Sequence, residues 1–388
     1  MVRTFAQVNE KIREGKAVVF TAEEAAKLVS DEGVLAATEK IDVVTTGTFG
    51  PMCSSGAVLN FGHSEPPIRM GKIFLNEVEC YGGLAAVDTY IGATQPSEDQ
   101  GMQYGGAHVI EDLISGRPVM LRAQSYGTDC YPRKSIETVI TLEGLNQAYL
   151  FNPRNAYQNY AAAATTGDRT LHTYMGTLLP NLGNVTYTTS GVLSPLLKDP
   201  ELRTIGIGTR IFLGGAQGYV AFEGTQATFN HQILENGDDW YAGVPLCVIG
   251  DMKKMSPRYI RGAVFDGYGT SMYVGIGIPI PVLDEDLMAR LAVTDERLYT
   301  RIFDFDVPSR SRPALRVVSY AELRSGEIEL SGKKTKTAPL SSFSMAREIA
   351  LLLKEQVQKG EFLLSEPVEF FEKGKRFKPL DITSVKEG

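Results

Sequence analysis

Two cysteines stand in loops whose composition could activate a thiol. Cys130 lies in residues 123–134, AQSYGTDCYPRK, with Arg122, Arg133 and Lys134 within eight positions. A thiol reacts as its thiolate, and neighbouring cations or free turn amides lower its pKa. Cys53 lies in residues 47–67, GTFGPMCSSGAVLNFGHSEPP, two positions after Pro51. Proline suits a first helical position, so this spacing predicts a thiol at a helix N-terminus, where the macrodipole favours thiolate. Both loops also admit a plainer reading. Cys130 would be an inert, half-buried cysteine in a hairpin connection, and Cys53 a residue of a simple strand-to-loop turn. His63 could move a proton, with a surface loop histidine as its alternative. Arg210, among the glycines of residues 205–220 (IGIGTRIFLGGAQGYV), could hold a carboxylate bidentately or form a structural ion pair. Cys80 has no cationic neighbours and Cys247 sits in the apolar run GVPLCVIGD, so both are read as structural.

These side chains need a scaffold. Apolar runs at 117–122 and 136–142 predict two strands with Cys130 at the tip between them. Upstream, Phe5, Val8 and Ile12 fall at helical spacing, and Thr21 followed by Glu24 predicts a capping box before a helix over 22–29. A further helical run at 34–39 and a strand at 41–46 complete an opening α-β-α-β unit. Residues 205–220 lack the order G-x-G-x-x-G between strand and helix, which excludes a dinucleotide fingerprint. Their glycines are expected to permit close backbone approach. Residues 341–358 carry Phe343, Ala346, Ile349, Ala350, Leu353 and Val357 on one stripe, an amphipathic helix. The basic segment 332–336, GKKTK, reads as a solvated linker. The expected fold is therefore α/β, with mixed sheets, flanking helices and glycine-rich loops. Its expected domains are a catalytic unit over 1–330 and a C-terminal helical extension over 331–388.

Composition narrows the function classes. With 43% hydrophobic and 22% charged residues the chain can build a substantial core. A net charge of −7 gives no general attraction to nucleic acid. No stretch reaches the length that spans a bilayer, the first residues lack a signal-peptide core, and four scattered cysteines do not make a disulfide framework. A cytoplasmic protein is expected. No C-x-x-C or H-E-x-x-H spacing marks a metal site.

Four segments together, GTFGPMCSSG, QSYGTDCYPRK, GTRIFLGGAQGYVAFEGTQ and PRYIRGA, resemble the homocysteine biosynthesis family, the L-aspartate semialdehyde sulfurtransferases of anaerobic archaea and bacteria. The resemblance runs from about residue 5 to 370 and implies sulfur transfer to the aldehyde of aspartate semialdehyde, yielding homocysteine after reduction. It implies a persulfide on Cys130, with Cys53 as a resolving or assisting thiol, and electrons from a separate ferredoxin-like iron–sulfur protein. A disulfide between Cys53 and Cys130 is the expected source of reducing equivalents within the chain. The substrate's carboxylate would need a cation, from Arg133, Arg154 or Arg210, and its ammonium an anion, from Asp129 or Glu223. A homo-oligomer is expected. Two other readings remain open on these residues. One is a sulfide carrier with an iron–sulfur cluster on Cys53, Cys130 and Cys80, and the other is a non-catalytic ligand-binding subunit.

Overall fold

Thr21 opens a helix in the way its spacing to Glu24 predicts. Its hydroxyl accepts the Glu24 amide at 3.3 Å, and the Glu24 carboxylate accepts the Thr21 amide at 2.7 Å, so two otherwise unpaired N–H groups are satisfied. Helices Phe5–Arg13, Ala22–Glu32 and Val34–Lys40 alternate with strands Val19–Thr21 and Val43–Thr45, which pair in parallel. Phe5, Val8 and Ile12 are buried, as their spacing requires.

The computed structural model describes residues 2–154, 160–309, 311–374, 378 and 380. Beyond the opening unit the chain is mostly sheet. A 15-stranded sheet is antiparallel in every pairing. A second sheet of six strands mixes parallel and antiparallel ladders. The mixed α/β class therefore holds, with strands outweighing helices. No helix among the described residues is long and apolar enough to cross a membrane.

The expected division at residue 330 falls in the turn of an antiparallel hairpin, Glu327–Leu330 with Lys333–Pro339. The second strand also pairs in parallel with Asn184–Tyr187. Residues 332–336 are thus not a free linker. Thr335 is fully buried between exposed lysines, residues 333–336 pair with Glu327–Leu330, and from Lys336 onward the other edge pairs with Asn184–Tyr187. The C-terminal helix, Phe343–Gln358, buries Ala346, Ile349, Ala350, Leu353 and Val357. Ile349, Leu353 and Val357 share one cluster with Phe5, Val8, Ile12 and Phe49. Each such side chain contributes about 1.5–3 kcal/mol of gross burial energy. The last helix therefore belongs to the same core as the first and is not an appendage.

Two glycine positions matter to this packing. A Cβ on Gly47 would stand 2.2 Å from the carbonyl oxygen of Ala346, so only glycine lets the strand that leads to Cys53 touch the C-terminal helix. Gly214 and Gly215, both at positive φ, turn strand Arg210–Leu213 into Ala216–Glu223. Much of the glycine-rich segment is explained by this turn.

Candidate active site

Cys53 is positioned by a strand that stops early. Strand Thr48–Pro51 pairs with Gly269–Gly277, Pro51 opposite Tyr273. The Met52 amide still donates to the Met272 carbonyl at 2.7 Å, and the Ser55 amide donates to the Met52 carbonyl at 3.1 Å. This turn holds Cys53, and the chain re-enters the sheet as Gly56–Asn60. The predicted helix N-terminus does not form. Residues 56–60 are hydrogen-bonded on both sides, to Asp88–Gly92 and to Gln147–Asn152, which commits this backbone to a ladder.

The electrostatics of Cys53 also run against the expectation. Burial pushes its thiol pKa up, and a hydrogen bond with Ser271 and its own backbone amide offset this only in part. The Sγ lies 3.1 Å from the Ser271 hydroxyl oxygen. With no helix dipole to favour the anion, Cys53 rests as a neutral thiol.

The thiol faces a cavity of about 470 Å³ between the two large sheets. Thr48 and Gly50 line it from one sheet, Phe303 from the other. Two arginines, Arg154 and Arg312, contribute to the wall, and no acidic side chain does so among the described residues. Arg154 donates to the Thr225 hydroxyl at 2.9 Å and to Gln226 Oε1 at 3.4 Å. Arg312 donates to the Tyr174 hydroxyl at 3.2 Å, with its guanidinium 3.9 Å from the Phe305 ring centroid. Tyr268 also lines the cavity. Burial, then the charge of a Cys53 thiolate, then Tyr174, push its phenol up to about 12. It therefore stays protonated at neutral pH and can donate a hydrogen bond to a developing oxyanion. Such a cavity favours a small anion and can stabilise negative charge beside a sulfur atom.

Cys130 occupies a different place. As predicted, it is at the tip of a hairpin, Val119–Gln124 with Ser135–Ile140. Thr128 and Tyr131 exchange backbone hydrogen bonds at 2.9 and 3.1 Å, leaving Asp129 and Cys130 between them, both exposed. The tip docks on the loop after strand Gly56–Asn60. Arg133 donates to the carbonyls of Pro66 at 2.9 Å and Glu65 at 2.6 Å. His63 stacks on Tyr131 with centroids 6.1 Å apart. Cys130, Asp129, Arg133 and His63 are thus gathered in one exposed cluster, in which Arg133 is engaged by backbone.

Cys53 and that cluster lie at opposite ends of the same strand. Cys53 precedes Gly56–Asn60, and His63 comes after it. Five strand residues span about 16 Å, whereas a disulfide needs Cα atoms within about 7 Å. Both cysteines are free, and the strand lies between Cys53 and the cluster that holds Cys130, so the expected Cys53–Cys130 disulfide is not formed within one chain. Cys80 does not join either thiol: it is buried in the core, its Sγ donates to the Val78 carbonyl at 3.3 Å, and burial pushes its pKa up to about 12. The three cysteines do not fit a common cluster in one chain, and no metal-binding group of three His, Cys, Asp or Glu occurs among the described residues.

Other expected residues are placed elsewhere. Arg210 Nη1 donates to the Leu363 carbonyl at 3.0 Å, tying down the segment after the last helix, and does not line the cavity. Glu223, at the end of its strand, does not line it either. Of the carboxylate candidates only Arg154 does. Nothing in the sequence singles out Arg312, Tyr174, Tyr268 or Ser271. Arg312 sits in SRSRP, residues 309–313, which has the composition of a solvated loop.

A mostly β, mixed α/β scaffold thus carries a half-buried thiol on a cavity lined by two arginines and, among the described residues, by no acidic side chain. The chain belongs to the homocysteine biosynthesis enzyme, sulfur-incorporation family, whose sequence profile matches residues 17–364. It is 56% identical over 367 residues to the L-aspartate semialdehyde sulfurtransferase of Methanosarcina acetivorans, covering 94% of this chain and 71% of that relative. It is 50% identical over 404 aligned residues to the L-aspartate semialdehyde sulfurtransferase of Methanocaldococcus jannaschii, covering 100% and 77%. No solved structure gives a significant match.

Proposed function

We propose that this chain is an L-aspartate semialdehyde sulfurtransferase that forms homocysteine, with the aldehyde bound in the Cys53 cavity. The observation that carries this reading is the placement of a thiol, a neutral phenol and two arginines around one space that no acidic side chain lines among the described residues, in a chain so similar to two enzymes of that name. The overall reaction joins the aldehyde, hydrogen sulfide, two electrons and two protons to give the thiol and water. Sulfur arrives as a persulfide on exposed Cys130. Its terminal sulfur attacks the carbonyl carbon, and the electron pair displaced onto oxygen is met by the Tyr268 hydroxyl. The Cys53 thiol, held neutral until then, gives its proton to that oxygen. The resulting thiolate attacks the Cys130 sulfur and breaks the S–S bond, leaving a thiohemiacetal and a Cys53–Cys130 disulfide. Loss of water and two-electron reduction give homocysteine. A ferredoxin-like partner supplies those two electrons, and hydrogen sulfide attacking the Cys130 sulfur of the disulfide frees the Cys53 thiol and restores the persulfide on Cys130, so two electrons suffice for each turnover.

Since one chain holds the two cysteines at opposite ends of a strand, the Cys130 hairpin serves the cavity of a second copy. Mixing Cys53→Ala chains with Cys130→Ala chains tests this, using an anaerobic assay with sulfide, aspartate semialdehyde and a reductant. Each variant alone should be inactive, and the mixture should recover activity, since it contains pairings with one intact hairpin and one intact cavity. Full activity of Cys130→Ala alone would remove the persulfide from Cys130. Inactivity of the mixture, with both variants folded, would refute delivery between copies.

A further inference from the structure

We propose that Arg312 anchors the α-carboxylate of the substrate, and so selects an amino-acid aldehyde over an aldehyde that lacks that group. This deepens the reading of the Cys53 cavity as the aldehyde site and rests on it.

Among the described residues Arg312 is a cation without a counter-ion. Several arginines elsewhere are matched to carboxylates, such as Arg203 to Asp284, Arg347 to Glu23 and Arg324 to Asp295, while Arg133, Arg154 and Arg210 donate to carbonyl, hydroxyl or amide oxygens. Among the described residues Arg312 forms no ion pair, and no acidic side chain lines its cavity. Its Nε is out of water and has no hydrogen-bond partner there. A donor in that condition is costly to leave unmet, and a bound anion restores what the fold withholds. The guanidinium is also already oriented. It lies over the Phe305 ring at 3.9 Å, and one nitrogen is tethered at 3.2 Å to the Tyr174 hydroxyl. Tyr174 is itself fixed by edge contacts to Tyr160 and Phe305, both with centroids at 5.7 Å. A planar fork held in this way is suited to a carboxylate, and little of its freedom remains to be lost on binding. Arg154 differs, since its Nε and Nη1 are already given to Thr225 and Gln226. The cavity shared by Arg312 and Cys53, about 470 Å³, has room for a four-carbon substrate with its carboxylate at one end and its aldehyde at the other.

The test uses protection of Cys53 from iodoacetamide in the full-length Cys130→Ser protein, read by mass spectrometry. The probes are L-homoserine, which keeps the carboxylate, and 3-amino-1-propanol, which lacks it. L-homoserine should protect Cys53, and 3-amino-1-propanol should need at least tenfold higher concentration. Arg312→Met should raise the half-protecting concentration of L-homoserine at least tenfold and abolish the difference between the probes, while Arg312→Lys should retain part of it. With Cys130 intact, Arg312→Met should raise KM for the aldehyde more than it lowers kcat. Equal protection by the two probes in the Cys130→Ser protein overturns the assignment whether or not the Arg312 variants fold. Unchanged protection by L-homoserine in Arg312→Met also overturns it, yet leaves the cavity as the aldehyde site. Absence of any protection by L-homoserine in the Cys130→Ser protein overturns both.

Discussion

The hydroxyl oxygen of Ser271 lies 3.1 Å from the sulfur of Cys53, joining a buried strand of the large sheet to the turn at the cavity. It is the contact that most restrains the rise of the Cys53 pKa against burial. Ser271→Ala should therefore push that pKa higher still. Since a net hydrogen bond contributes about 0.5–1.5 kcal/mol, alkylation of Cys53 at a fixed pH near 8 should slow roughly three- to tenfold. An unchanged pH profile of alkylation would show that Ser271 does not tune the thiol.

The four cysteines should separate by reactivity. Cys130 is exposed, Cys53 half-buried, and Cys80 and Cys247 buried. Under native conditions Cys130 should be alkylated at least tenfold faster than Cys53, and Cys80 and Cys247 only after denaturation. Peptide mass spectrometry over a time course reads the order. Early labelling of Cys80 would contradict its place in the core.

Gly47→Ala should destabilise the protein by about 1–3 kcal/mol, because the added methyl meets the Ala346 carbonyl at 2.2 Å. The groups it meets, the Ala346 carbonyl and the Ala350 amide nitrogen at 3.1 Å, are both backbone, so no side chain can turn aside. The cost should appear as a lower urea midpoint with an unchanged m-value. A midpoint equal to that of the unmodified chain would mean that the strand and helix can part without penalty.

Lys198 is fully buried, donates to the Val293 carbonyl, and has its pKa lowered from 10.5 to about 7, mainly by burial, against the opposing charges of Asp295 and Glu23. Between those two values the unfolded chain holds a proton that the folded chain does not. Stability should therefore rise with pH from about 7 toward 10 on account of this group. Lys198→Met should flatten that rise, as measured by urea unfolding at several pH values. Parallel curves for the two proteins would contradict a depressed Lys198.

Local chemistry is legible in the sequence, and long-range chemistry is not. The Thr21–Glu24 cap, the Phe5–Val8–Ile12 stripe, the hairpin around Cys130 and the last helix all come from neighbours within a few positions. The sequence marks Cys53 as a residue of interest, but Pro51 suggests a helix where two flanking strands impose a ladder. The contact between Cys53 and Ser271 spans 218 positions, and Arg312 reaches the cavity from a loop whose composition suggests only solvent. The polar loop of Cys130 has the composition of an electropositive active site, whereas in the fold Arg133 spends its donors on the Glu65 and Pro66 carbonyls. Spacing along a chain reports which side chains share a face. It does not report which face a distant strand will cover.

The first helix and the last, drawn into one apolar cluster, set an order of events during synthesis. Phe5, Val8 and Ile12 leave the ribosome early and must wait, uncovered, until Ile349, Leu353 and Val357 have been made. The strand leading to Cys53 waits with them, because Gly47 rests on the same late-arriving helix. A nascent chain halted before residue 343 would thus expose an unfinished greasy face and lack a firmly seated thiol.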